Sequence, residues 1–151
     1  MSDKKFTQKN WSPWHHQLHK EILSKNIFIP KGSKILISVS GGQDSMTLLT
    51  LINDLKKLHN WSIGVWHGDH KWHEKSSLYA HELKDYCEGK NISFYCDQAN
   101  KEKVSSEEKA REWRYKKLYE RAKTLLQKNQ QKHNIYLLTG HTSSDLSLIH
   151  I

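Results

Sequence analysis

The sequence predicts an α/β domain, a three-layer, mostly parallel, doubly wound sheet with helices on both faces. Short apolar runs rich in β-branched and aromatic residues alternate with longer stretches of helical periodicity, so strands and helices take turns along the chain. Each pair of successive strands is separated by one helix-length segment, the βαβ pattern that requires parallel strands. Polar turns rich in Gly, Ser and Asp follow the strands, where open α/β sheets bind ligands.

Residues 1 to 10 are polar and read as a loose start. Ser12 and Pro13 suit a helix start, and Trp14, Leu18 and Ile22 carry helical spacing to about Lys25. His15 and His19 stand one turn apart, but with no Cys and only Glu21 beside them they read as a solvated basic face rather than a metal site. Lys34 to Val39 is the first strand. Ser40-Gly41-Gly42-Gln43-Asp44-Ser45 makes the turn, and Met46, Leu48, Leu49, Leu51, Ile52, Leu55 and Leu58 form the apolar stripe of a helix over 45–58. His59-Asn60 turns into a second strand, Trp61 to His67, followed by the loop from Gly68 to His73. A helix from about Glu74 to Glu88 uses Leu78, Leu83, Tyr86 and Cys87 as its apolar side, and Gly89 suits its end. Asn91 to Cys96 is the third strand and 97–104 a polar loop. Ser105 with Glu108 forms a capping box for a long helix reaching about Lys128. Ile135 to Thr139 is the fourth strand, ending in Gly140-His141-Thr142-Ser143-Ser144-Asp145. With 151 residues and no internal boundary, the chain reads as one domain.

Composition narrows the function classes. The charged fraction is 26% and no apolar run approaches the ~18 residues that span a bilayer, so a membrane protein is excluded. Cys87 and Cys96 form no C-x-x-C pair, and the polar start lacks a secretory leader, so a reduced, cytoplasmic protein is expected. A net charge of +8 makes a polyanion such as nucleic acid a natural partner.

The turn at 40–45 carries the chemistry. A helix N-terminus presents unpaired N–H groups and the positive end of its dipole, and Gly41 and Gly42 allow a close backbone approach to an anion. Ser40 and Ser45 add hydroxyl donors. Asp44 would repel a phosphate unless a cation bridges them, which points to Mg²⁺. No Lys follows the glycines as a Walker loop requires, and the G-x-G-x-x-G dinucleotide pattern is absent. The hexapeptide resembles the PP-loop of N-type ATP pyrophosphatases, which implies ATP cleaved between its α and β phosphates.

Three further blocks extend the resemblance: Trp66-His67-Gly68-Asp69-His70, the helical run Ser106 to Tyr115 with its Glu-Glu-x-Ala-Arg-x-x-Arg-Tyr pattern, and Leu138 to Asp145. In this order and spacing the chain resembles the N-terminal catalytic domain of the tRNA(Ile)-lysidine synthetases over roughly residues 12 to 145. GMP and NAD synthetases share the PP-loop but not the helical block. The resemblance implies a Rossmann-like fold of the adenine nucleotide alpha hydrolase type and a ligase that adenylates the C2 oxygen of the wobble cytidine of tRNA(Ile), after which free L-lysine displaces AMP. Carried over, Ser40, Gly41, Gly42, Gln43, Asp44 and Ser45 would hold the pyrophosphate, with Asp44 placing Mg²⁺. Arg111 would contact the nucleotide or steady the adenylate, His141 and Asp145 would line the site beside the fourth strand, and His70 would form part of the same wall.

One departure concerns the end of the chain. The family continues past Asp145 into a helix carrying a Glu of the lysine site, whereas Leu148 stands at that position here. The segment 146–151 therefore reads as a truncated or atypical end, expected to leave the fourth strand poorly covered. Two alternatives follow: a PP-loop tRNA thiolase, which would need an activated cysteine, and a basic ATP- or RNA-binding module that lacks the lysine site.

Overall fold

The computed structural model describes residues 29–40, 43–71, 74–128, 134–140 and 146–150, with Pro13, His16 and Lys20 as single helical positions. The expected first helix and its His15–His19 face otherwise lie outside the described residues. The elements run β1 (Lys34–Ser38), α1 (Gln43–His59), β2 (Ser62–Asp69), α2 (Ser76–Gly89), β3 (Ser93–Gln98), a 3₁₀ turn (Lys101–Val104), α3 (Glu107–Lys128), β4 (Ile135–Gly140) and β5 (Leu146–His150).

The five strands form one sheet in the order β3-β2-β1-β4-β5. The first four are parallel and β5 is antiparallel to β4. Moving from β1 through β2 to β3 the chain steps one way, then crosses back to place β4 on the far side of β1. With right-handed crossovers, that reversal puts α1 and α2 on one face and α3 on the other.

Side-chain alternation shows the same three layers. Ile35, Ile37, Ile63, Val65, Tyr136 and Leu138 pack with Leu49, Ile52 and Leu55 of α1 and with Leu83 and Cys87 of α2. Leu36, Trp66, Ile135 and Leu137 pack with Ala110, Trp113, Leu118, Ala122 and Leu125 of α3. Neighbours along each strand thus go to opposite cores, which is why these strands read as unbroken apolar runs. Among the described residues no helix is long and apolar enough to cross a membrane.

Several local expectations shift. β2 extends to Asp69 and β3 lies at 93–98, because Gly64 to Asp69 pairs residue by residue with Ser93 to Gln98. Gly68, expected in a loop, is therefore a strand residue. Leu78 does not belong to the buried side of α2; it is 57% exposed. Gly89 ends α2 without a left-handed conformation, which falls instead to Asn91 at φ 57°, a residue that tolerates it through its short polar side chain. The cap of α3 is Ser106 rather than Ser105: its Oγ accepts the Lys109 N–H at 3.2 Å. The segment after Asp145 is not left without a role in the sheet. It forms β5, setting Leu138 against Leu148 and covering the outer edge of β4.

Gly68 is fixed by packing. A Cβ there would stand 2.6 Å from Trp66 Cη2 and 2.8 Å from Trp113 Cζ3, atoms of two buried rings that cannot both give way. Gly68→Ala is expected to lower stability by about 1–3 kcal/mol. Gly89→Ala meets nothing within 4 Å and has no positive φ, so it should raise stability by about 0.4–1 kcal/mol. Urea denaturation of the two variants checks both signs.

Candidate nucleotide site at the carboxyl edge of the sheet

Parallel pairing of β1 with β4 brings Ile37 beside Leu138. The ends of the two strands, and with them Val39 and Thr139, therefore stand at the same edge of the sheet. This is the point where the strand order reverses, between α1 on one face and α3 on the other, and open α/β sheets bind ligands at such points. Ser40 and Ser45 bracket the turn: the Ser40 hydroxyl lies 3.4 Å from that of Ser45, which is buried in the first turn of α1. Gln43 and Asp44 open α1 as helical backbone, so a helix N-terminus follows β1 as the loop chemistry requires. The side chains of Gln43 and Asp44, and residues Gly41, Gly42, His141 and Asp145, lie outside what is described.

The strand end that launches the loop is pinned by β2. Val39 N–H donates to the Trp66 carbonyl at 2.9 Å, and the Val39 carbonyl is 2.7 Å from His67 Nδ1. A carbonyl only accepts, so Nδ1 carries the proton. The His67 ring is buried and lies 5.7 Å from the ring of Tyr79 on α2. No sequence motif assigns this histidine a role, although strand alternation from Val65 turns it toward α1 and α2.

Asp69, at the tip of β2, was also missed. It is 2% exposed; its Oδ1 accepts the Lys71 N–H at 2.9 Å, while Oδ2 is buried with no hydrogen-bond partner among the described residues. Such a carboxylate oxygen is costly to leave unpaired.

The expected wall residue His70 stands beside β2 on the α3 face. Its ring meets Trp113 edge-on at 5.5 Å, and Nε2 is 3.4 Å from Nη1 of Arg114. Burial, and next the Arg114 charge, push its pKa below the usual imidazole value. Arg111 sits near the start of α3, at the same edge, but exposed, with its guanidinium 5.8 Å from the Tyr115 ring centre. The better buried cation of the block is Arg114, to which the sequence assigns no role; i, i+3 and i+4 spacing from Glu107 through Arg111 to Arg114 and the place of His70 just past the second strand are its signals.

Both cysteines are free. Cys87 is fully buried and Cys96 half-buried, and burial raises each thiol to about 11. Neither is an activated nucleophile at neutral pH.

The chain is similar to known proteins along most of its length. The family model of the PP-loop domain matches residues 14–148. A tRNA(Ile)-lysidine synthase from Prochlorococcus marinus subsp. pastoris is 66% identical over 145 residues, covering 96% of this chain and 43% of that protein. A second, from another Prochlorococcus marinus strain, is 49% identical with the same coverage of both chains. The chain thus spans less than half the length of these relatives. The solved structure of the U34-tRNA thiolase NcsA from Methanococcus maripaludis is similar over 56% of this chain and 28% of that one, at 17% identity and a TM-score of 0.48. A family match running through nearly every element described above leaves one conclusion, that the chain belongs to the PP-loop domain family.

Proposed function

We propose that this chain is a single PP-loop domain that binds ATP for tRNA(Ile)-lysidine synthesis in the cytoplasm. The observation that carries the reading is the β1–β4 switch point: the strand that precedes the Gly-rich turn in sequence lies parallel and adjacent to the strand that precedes the His-Thr-Ser-Ser-Asp segment. PP-loop family membership and relatives named for lysidine synthesis support it.

In the proposed reaction the C2 oxygen of the wobble cytidine attacks the α-phosphate of ATP and pyrophosphate leaves. The amine of lysine then attacks C2, AMP departs with that oxygen, and a C–N bond replaces the C–O bond. The chain's task is to grip and orient. Backbone N–H groups of 41–45 and the hydroxyls of Ser40 and Ser45 hold the pyrophosphate against the α1 N-terminus. Arg111 supplies positive charge beside the nucleotide, and His141 and Asp145 line the β4 side. His70 forms the β2 wall.

Mg²⁺ fits the residues present. The buried Asp69 Oδ2, without a hydrogen-bond partner among the described residues, is a hard oxygen donor at the same edge as Asp44, and Mg²⁺ favours one or two carboxylates with substrate phosphates. Asp44 and Asp69 would hold it; bound there, it neutralises charge on the phosphates. Position 148 supplies no carboxylate: Leu148 lies on β5 opposite Leu138. That strand favours a second reading for this chain, an ATP- and RNA-binding module without the lysine site.

Calorimetry with ATP and Mg²⁺ is the first check. The native chain should bind, and Asp44→Ala should weaken MgATP by at least about ten-fold, or 1.4 kcal/mol; equal heats in both proteins would refute the loop assignment. Labelled lysine appearing in tRNA(Ile) supports the ligase, whereas ATP binding without incorporation supports the binding module. The thiolase alternative has its own measurement. With thiols near 11, Cys87 and Cys96 should react with iodoacetamide at pH 7.5 more slowly than a free cysteine of pKa ~8.5, and the Cys87→Ser, Cys96→Ser double variant should keep its ATP affinity.

A further inference from the structure

α3 carries two part-buried arginines in different circumstances. Arg121 is paired with Asp97 at 3.3 Å, with both side chains largely shielded, and lies 5.3 Å from the Tyr95 ring centre. Asp97 also accepts Trp66 Nε1–H at 2.7 Å, so this arginine belongs to a satisfied structural network between α3 and the sheet.

Arg114 differs. Its side chain is 17% exposed, yet its one carboxylate partner among the described residues is Glu107, at 3.5 Å and 75% exposed. A pair with so exposed a member is screened and holds weakly. The other contact is Nε2 of the His70 ring at 3.4 Å, a group that brings no negative charge. A guanidinium has five N–H donors in a planar fork, and these two long contacts leave its charge poorly compensated. Its place is also particular. Glu107 and Arg114 lie in the first two turns of α3, which follow the carboxyl end of β3, and His70 follows that of β2. The arginine therefore stands at the ligand edge, on the α3 face, with the PP-loop leaving toward the α1 face. Trp113, buried at 6% exposure, meets the His70 ring edge-on.

We infer that Arg114, steadied by His70 and lightly covered by Glu107, is a phosphate-binding group of this edge. Its ligand is a phosphoryl oxygen, from the nucleotide or from an RNA backbone, held by the bidentate fork that suits such oxygens. Glu107 occupies the fork in the free protein and swings away into solvent when the phosphate arrives. The inference rests on the ATP- and RNA-binding reading above.

The test measures MgATP by calorimetry and an anticodon stem-loop RNA by fluorescence anisotropy at several salt concentrations, with a thermal melt for each protein. Arg114→Gln should weaken one of the two ligands by about ten-fold or more, and Arg114→Lys should restore only part of it. Loss confined to ATP identifies the nucleotide as the source of the phosphate; loss confined to RNA, with a shallower salt dependence, identifies the backbone. Glu107→Gln, at an exposed position, should tighten the same ligand by removing its competitor. A structural ion pair predicts no such gain, so an unchanged or weakened affinity in Glu107→Gln overturns the inference. So does an Arg114→Gln protein with a lowered melting temperature but both affinities within about two-fold of the parent. If the parent chain binds neither ligand, the functional reading itself falls and this inference with it.

Discussion

The parallel contact between β1 and β4 is what the candidate site depends on. Ile37 and Leu138 come from opposite ends of the chain, yet the backbone ladder sets them side by side. Without that pairing the Gly-rich turn would be an isolated helix start and the segment after Gly140 an unrelated loop. The pairing is held from both faces. Ile35, Ile37, Tyr136 and Leu138 are buried under α1, and Leu36, Ile135 and Leu137 under α3. The hydrophobic effect that stabilises the sheet also fixes the geometry of its ligand edge.

Polar contacts at that edge refine what the core makes possible. His67 and the Trp66 carbonyl hold both backbone groups of Val39, so the loop departs from a fixed point. Trp66 spans two roles: its backbone pins the loop, and its indole fills the α3 core while donating to Asp97. The same ring, with Trp113, excludes any side chain at position 68. A glycine that seemed to belong to a loop is thus part of the packing beneath the site. Buried Asp69 and half-buried Arg114 place opposite charges near one strand tip, on opposite faces of the sheet.

β5 changes how the far side of the sheet is understood. An antiparallel edge strand on an otherwise parallel sheet is a common way to finish a doubly wound fold. Here it satisfies the outer backbone groups of β4, and Ile149 packs toward the α3 core. A helix at this place would have offered a side chain to the crevice. The strand instead commits position 148 to a register opposite Leu138, in line with the apolar character of 146–151.

The chain by itself determined the order of strands and helices, the loop at 40–45 and the separation into a sheet with helices on two faces. Those features are written in local signals: alternating periodicities, a Gly-Gly turn between a buried strand and an apolar stripe, and runs too apolar to face water. Element ends were legible only to within a residue or two, because Ser105 and Ser106, or Gly89 and Asn91, offer nearly equal local choices that hydrogen bonding resolves. Tertiary structure alone decided that β4 lies beside β1, that 146–150 pairs with β4 as an edge strand, that Asp69 is buried, and that Arg114 rather than Arg111 packs against His70. Each of these depends on residues far apart in sequence meeting in a particular register, and no local pattern encodes that meeting.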